Sequence, residues 1–384
     1  MKRNDLFLLK QVNEEYYLIS SGQAAADRRL ILKTNPVGAF IWEALKDDIC
    51  MEHLLKLAMH KYEPAKDEIE GMVKEIHDYV HLLFIRGLVT GLTEPEVSAP
   101  PLYTTIKIAG IKIKISGDGD ILDPCLKSFK ADFPEKETDL TVHFRIGLPA
   151  YTENGWVIVR KDEMQILEND EHYIIICSDL KQVKEIHISK NLKEVDVFAI
   201  APYDDKLRKE FYLALRTPFL LKALNSGMLM LHSASLLYKG KVYCFSAPAG
   251  TGKTTHTSIW KRLFDCTDVN GDLNLLVPGE TSVMVLGTPW CGTSRLYTTE
   301  TLPLGGIIFL KRSGTDHAEK ISFQDSFLKI VARTASPNWN TDLAVKITDL
   351  AETIAGKVDC YTLECTMNDS AAEEIKWLID KNMK

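Results

Sequence analysis

Residues 246–256 read "SAPAGTGKTTH", after an apolar run and before a stretch with helical periodicity. Gly250 and Gly252 allow backbone angles closed to other residues, so successive N–H groups can point into one concavity. A helix beginning near Lys253 adds the positive end of its dipole. Lys253 is then placed to reach the β- and γ-phosphates of a nucleotide, and the Thr254 hydroxyl to face Mg²⁺. The expected phosphate cradle is Ala249, Gly250, Thr251, Gly252, Lys253, Thr254 and Thr255, with residues 242–245 as the strand that must precede it. The Gly-x-x-x-x-Gly-Lys-[Ser/Thr] pattern asks for glycine at 247, where this chain has Ala247; alanine is compatible there if its φ is negative.

The flanks of the loop are "SGMLMLHSASLLYKGKVYCF" upstream and "LFDCTDVNGDLNLLV" downstream. With the loop between them, this arrangement resembles the HPr kinase and phosphoenolpyruvate carboxykinase-like P-loop family, in which an acidic motif follows the loop by some twenty residues. The resemblance covers roughly 103–384 and is most specific over 232–275; "LGTPWCGTSRLYTTETLPLGGIIFL" is similar to the family's later strand and loop. It implies ATP- and Mg²⁺-dependent phosphorylation of a serine or threonine hydroxyl on a protein or peptide. By position, Lys253 and Thr254 match the loop's lysine and hydroxyl. Asp272 matches the acidic residue that serves as metal ligand or catalytic base, and His232 the histidine before the loop's strand. The expected catalytic set is Asp272, His232 and Lys253, with Thr254 and Asp272 on the metal. The departure is at Gly271: many such sequences carry two adjacent acids, and this chain has Asn270-Gly271-Asp272. A single carboxylate argues against a reverse, phosphorylase activity.

Phosphoryl transfer needs positioning and charge neutralisation more than covalent help, because its transition state is loose and anionic. That is work Lys253, Mg²⁺ and Asp272 can do. Other residues nearby carry two readings each. His232 is a partner of the acceptor or γ-phosphate, or a satisfied core histidine. Arg295 is a bidentate phosphate clamp on the substrate, or a surface arginine. Trp290 stacks on adenine or packs in the core, and His256 is expected on the helix surface.

The elements that must position these groups follow from periodicity. Residues 103–200 are rich in strand signals: "YTTIKIAGIKIKI" and "LTVHFRI" alternate, as does "WVIVRKDEMQIL", and "YIIIC" is a buried-strand candidate. Residues 205–227 are helical in pattern, "LGGIIFLKR" is a strand, and 370–382 an amphipathic terminal helix. The first ninety residues look self-contained. Short strands are expected at 6–12 and 16–20, and helices from Pro36, capped by Asn35, over about 51–62 and about 65–86, with Gly87 as a stop and a short strand at "LVTGL". "TEPEVSAPP" reads as a linker.

The order strand, strand, helix, helix, helix, with "LKTNPVGAFIWEAL" opening the first helix, resembles the PqqD-like precursor-peptide recognition domains over about residues 3–90. That resemblance implies a winged-helix-like unit that binds the leader of a ribosomally made precursor peptide as an added strand. Phe40, Ile41 and Trp42 identify the fold as core residues, by their helical spacing. The expected organisation is a 1–92 leader-recognition domain, a 93–102 linker and a 103–384 kinase domain with a strand-rich first half, in the α/β (α+β) class.

Composition bounds the rest. The chain has 384 residues, net charge −7 and 45% apolar residues. That charge, and an acidic polar face on the third helix, argue against nucleic acid as partner. No apolar run approaches the length of a membrane span, and no secretion signal is read. Eight cysteines at 50, 125, 177, 244, 266, 291, 360 and 365 include no C-x-x-C pair, so reduced thiols and a cytoplasmic location are expected. A homo-oligomer is left open. The leading reading is a precursor-peptide Ser/Thr kinase; the alternatives are a nucleotide-gated peptide carrier without transfer, and a kinase for an HPr-like protein or a small molecule.

Overall fold

The computed structural model describes residues 1–22, 25, 31–91, 103–117, 119–146, 155–161, 164–177, 179–199, 203–248 and 250–383. The linker expected at 93–102 and the cradle residue Ala249 lie outside them. Strands and helices are mixed in the α+β manner. Among the described residues no helix is long and apolar enough to cross a membrane, and all eight cysteines are free thiols.

Two compact units share the chain, and neither is one continuous stretch. The first comprises Met1–Pro100, Phe144–His187 and Asp196–Tyr203; the second comprises Pro101–His143, Ile188–Val195 and Asp204–Lys384.

In the first unit, strands Phe7–Val12, Glu15–Ser20 and Ile31–Thr34 form an antiparallel sheet in that order. Ile31–Thr34 is a strand that the sequence reading does not include. Asn35 caps the helix Pro36–Ala44, its Oδ1 accepting the Gly38 N–H at 2.7 Å. Helices Met51–Tyr62 and Ile69–Ile85 follow, and the short strand Val89–Thr90 returns to pair with Lys2–Arg3. Leu18, Ile41, Trp42, Leu45, Leu54, Ile76, Val80 and Leu83 fill the core between sheet and helices. Phe40 is half-buried, edge-on to Tyr62. The same unit carries the antiparallel meander Trp156–Arg160, Met164–Glu168 and His172–Cys177.

In the second unit, the alternating residues 103–116 form the hairpin Tyr103–Ile108 and Ile111–Ser116, turning at Ala109 and Gly110, both at positive φ. The larger sheet centres on the strand Thr301–Arg312. Lys241–Ser246 and Cys360–Cys365 pair with it in parallel, one on each side. Residues 307–310 are buried, as parallel strands covered on both faces require. Ala234–Tyr238 and Cys266–Asn270 continue beyond Lys241–Ser246 in antiparallel fashion, and Leu229–His232 pairs with Leu273–Pro278. The helix Lys253–Leu263 packs on this sheet through Ile259 and Trp260, beside the helix Asp369–Asn382. The Trp260 ring is fully buried, edge-on to Tyr238 and Phe245 at centroid distances of 5.4 and 5.6 Å.

Candidate active site

The loop 247–252 joins the parallel strand Lys241–Ser246 to the helix Lys253–Leu263, the strand–turn–helix setting that a phosphate cradle needs. Ala247 is buried and is not among the residues at positive φ, so its backbone does not require glycine. Gly250 and Gly252 are at φ 73° and 115°, a region that side chains rarely adopt. Arg312 donates to the Gly250 carbonyl and steadies the loop from its neighbouring strand. The Thr251 N–H turns back to Pro248 O at 3.3 Å, so this amide closes the turn and does not face outward. No side chain caps the helix, and its backbone ladder begins with His256 N–H to Gly252 O. The amides of 253–255 therefore precede the first ladder bond and are open to an anion.

Lys253 is half-buried and donates to Ala247 O at 3.1 Å. Burial lowers its ammonium pKa below the usual lysine value; the Asp272 carboxylate opposes that shift and the Arg333 guanidinium adds to it. Asp272 and Arg333 thus lie within electrostatic reach of the loop lysine. Asp272 Oδ1 stands 3.1 Å from His232 Nε2, with about a third of each side chain exposed. His232 ends its strand opposite Leu273, and its carbonyl accepts from Ser246 Oγ at 2.7 Å, which ties it to the last residue of the loop's strand.

A buried polar network holds the turn that carries Asp272. Asn270 Oδ1 accepts the N–H groups of Asp272 and Leu273 at 2.9 and 3.0 Å. Asn274 donates to Ser233 O and accepts from Ser235 Oγ, both at 2.6 Å. Asn270 Nδ2 reaches Thr288 O, and Thr288 Oγ1 donates to Leu273 O. Each of these side chains is almost wholly buried, so the network fixes one geometry. Sequence reasoning missed it; the signal available was the pair of asparagines flanking Gly271–Asp272 in "NGDLN". The same packing explains the departure at Gly271. A Cβ there would fall 1.9 Å from Ser294 Oγ and 2.9 Å from Cys291 O, leaving no room for a second acid.

The remaining residues sort plainly. Thr254 and Thr255 are exposed on the first turn of the helix. Arg295 is exposed and lines a cavity of about 510 Å³ together with Asp272. Trp290 is core: it is buried, packs on Phe219 at 4.7 Å between centroids, and donates Nε1–H to Tyr212 O. His256, expected on the helix surface, is fully buried, and burial lowers its pKa against the pull of Asp316. Among the described residues no group of three or more His, Cys, Asp or Glu side chains could hold a metal. The donors present, one hydroxyl and one carboxylate, suit Mg²⁺ in its common form, completed by phosphate oxygens and water. The open helix amides and Lys253 likewise suit a triphosphate.

The first unit holds a separate groove of about 660 Å³, lined by Val37, Ile41, Met72, Ile76 and Tyr79, with Glu68 and Glu75 among its walls. Thr34 and Tyr79 hydroxyls meet at 2.6 Å beside it. Gly38, in the helix-opening motif, is obligatory here because a Cβ would lie 2.0 Å from Thr34 Oγ1 and 2.7 Å from the Tyr79 ring.

No family model matches the chain, and a search of curated proteins finds no match. Among solved structures, it is similar to "TbiB1 in Complex with the TbiA(beta) Leader Peptide", at 17% identity and a TM-score of 0.20, over 24% of this chain and 100% of that one.

Proposed function

We propose that the chain transfers the γ-phosphoryl group of ATP, with Mg²⁺, to a serine or threonine hydroxyl of a ribosomally made precursor peptide whose leader is held by residues 1–92. The observation that carries the transfer is the His232–Asp272 pair within electrostatic reach of Lys253, which opens a helix that no side chain caps. In this reading the acceptor hydroxyl gives its proton to Asp272. Its oxygen bonds to the γ-phosphorus as the bond to the ADP oxygen breaks. Lys253 and the amides of 253–255 take up charge on the phosphate oxygens. His232 orients the carboxylate and shares the proton. Thr254 and Asp272 would hold the magnesium ion, which supplies further neutralisation of the β- and γ-oxygens.

The peptide side rests on shape. Ile31–Thr34 is the outer strand of its sheet, and Ile31 is exposed. A peptide laid along it gains main-chain hydrogen bonds, and the adjoining groove takes its side chains. Tethering then raises the acceptor to roughly millimolar effective concentration. The test is mass spectrometry of a hydroxyl-bearing short peptide encoded beside this gene, after incubation with Mg-ATP. A phosphoryl mass gain is expected, slowed about 10²- to 10⁴-fold in Asp272→Asn. ATP binding without any gain selects the carrier reading instead, which the single carboxylate at 272 favours.

A further inference from the structure

We infer that the 510 Å³ cavity beside Asp272 receives the acceptor residue, and that the acceptor carries a carboxylate close to its hydroxyl. The inference rests on the transferase reading above and names the substrate class for it. Lys209, Tyr212, Leu213 and Arg216 line the cavity from one face of the helix Asp205–Asn225, at the i, i+3, i+4, i+7 spacing that aligns side chains. Arg295 and Asp272 line it from the other elements, and among the described residues of the 247–254 loop none does. Nucleotide phosphates on the loop therefore leave the cavity to the acceptor.

Its charges are unbalanced in a particular way. Lys209, Arg216 and Arg295 make no ion pair among the described residues. The two carboxylates in the cavity are otherwise engaged: Asp123 is nearly buried and caps Cys125 N–H at 2.9 Å, and Asp272 faces His232. The aromatic groups are spent too, since Tyr212 donates to Pro289 O and Trp290 to Tyr212 O. With three cations and two carboxylates around it, the cavity keeps one positive charge in excess for an anion from outside. The cavity is of a size that holds a drug-sized ligand, and so a short stretch of peptide. A hydroxyl against Asp272 then has its neighbouring carboxylate on the cations, which also offset the charge that Asp272 would otherwise present to an acidic segment.

The experiment uses the full chain and two pairs of synthetic peptides. The first pair is acetyl-Gly-Asp-Ser-Asp-Gly-amide against its Asn-Ser-Asn counterpart. The second is acetyl-Gly-Gly-Ser with a free against an amidated C-terminus. Binding is measured calorimetrically without nucleotide, and transfer by mass spectrometry with Mg-ATP. The carboxylate form of at least one pair binds about 10-fold more tightly, and the pair that shows it identifies a side-chain or chain-end source. The preference weakens with salt. It falls about 3-fold in Arg216→Gln or the exposed Lys209→Gln, and stays in Lys206→Gln, on another face of the helix. Equal binding within both pairs, or a preference that survives Lys209→Gln/Arg216→Gln/Arg295→Gln, overturns the inference. Carboxylate preference without transfer keeps the cavity assignment and removes the kinase; transfer without preference does the reverse.

Discussion

The groove of the N-terminal unit and the loop site of the second unit are built on opposite terms. The groove is mostly apolar, the hydroxyls beside it meet each other, and Gly71 on its wall has nothing within 4 Å of where a Cβ would stand. The loop site leaves helix amides uncapped, the cavity beside it holds three cations that make no ion pair among the described residues, and its Gly271 is pressed against Ser294. The first can accept a chain by shape and strand pairing, with room to vary. The second demands charge at fixed points, and its geometry is held by buried polar atoms that tolerate little change. The difference is what a division into capture and chemistry would require.

The contrast is most exposed at Lys253. Lys253→Ala should cut phosphoryl transfer by about 10³-fold or more while leaving thermal stability unchanged or slightly raised, because burial already disfavours its charge. Steady-state kinetics beside a melting curve checks both halves; a loss of activity explained by unfolding would break the comparison. Next in size is an acid response belonging to the N-terminal unit. His81 is buried, neither ring nitrogen has a hydrogen-bond partner among the described residues, and burial, then Lys184, holds its pKa at about 3. Its folded value lies below its unfolded one, so its neutral form is the stable one. Stability is whole above about 6.5 and falls as pH drops toward 3, by about 4–5 kcal/mol. Urea melts against pH should show that acid limb, and His81→Leu should flatten it.

Smaller effects sharpen the two glycines. Gly271→Ala should cost about 1–3 kcal/mol, as overpacking against Ser294 and Cys291 displaces the Asp272 turn. Denaturant midpoints measure it, and relief in the Ser294→Gly background would assign the cause. Gly71→Leu should do the reverse in the other unit. It removes a glycine from the helix Ile69–Ile85 and stabilises that helix by up to about 1 kcal/mol, while filling the groove and weakening peptide capture. A stabilised protein that still bound the precursor equally well would separate the groove from leader recognition.

Much of this is legible in the sequence. Asn35 and Pro36 announced a helix start that the structure keeps, residues 51–62 read as the helix they form, and the loop's glycines and lysine marked a strand–turn–helix junction. The strand Ile31–Thr34 was hidden because four residues are too few for a period. His256 lies inside rather than on the surface because its helix has the sheet on one side and Asp316 and Thr366 near the imidazole, neighbours that sequence spacing does not reveal.

The sequence alone determined what local rules govern: which segments alternate or turn, where a helix begins, and which backbone positions need glycine. Those depend on residues a few places apart, whose geometry the chain itself sets. The tertiary structure alone decided that Asp272 faces His232, that Ser294 excludes a second acid at 271, and that cations from positions 209, 216 and 295 share one cavity. Such meetings depend on how distant segments pack, and packing is set by the volume and polarity of the whole core rather than by any short stretch.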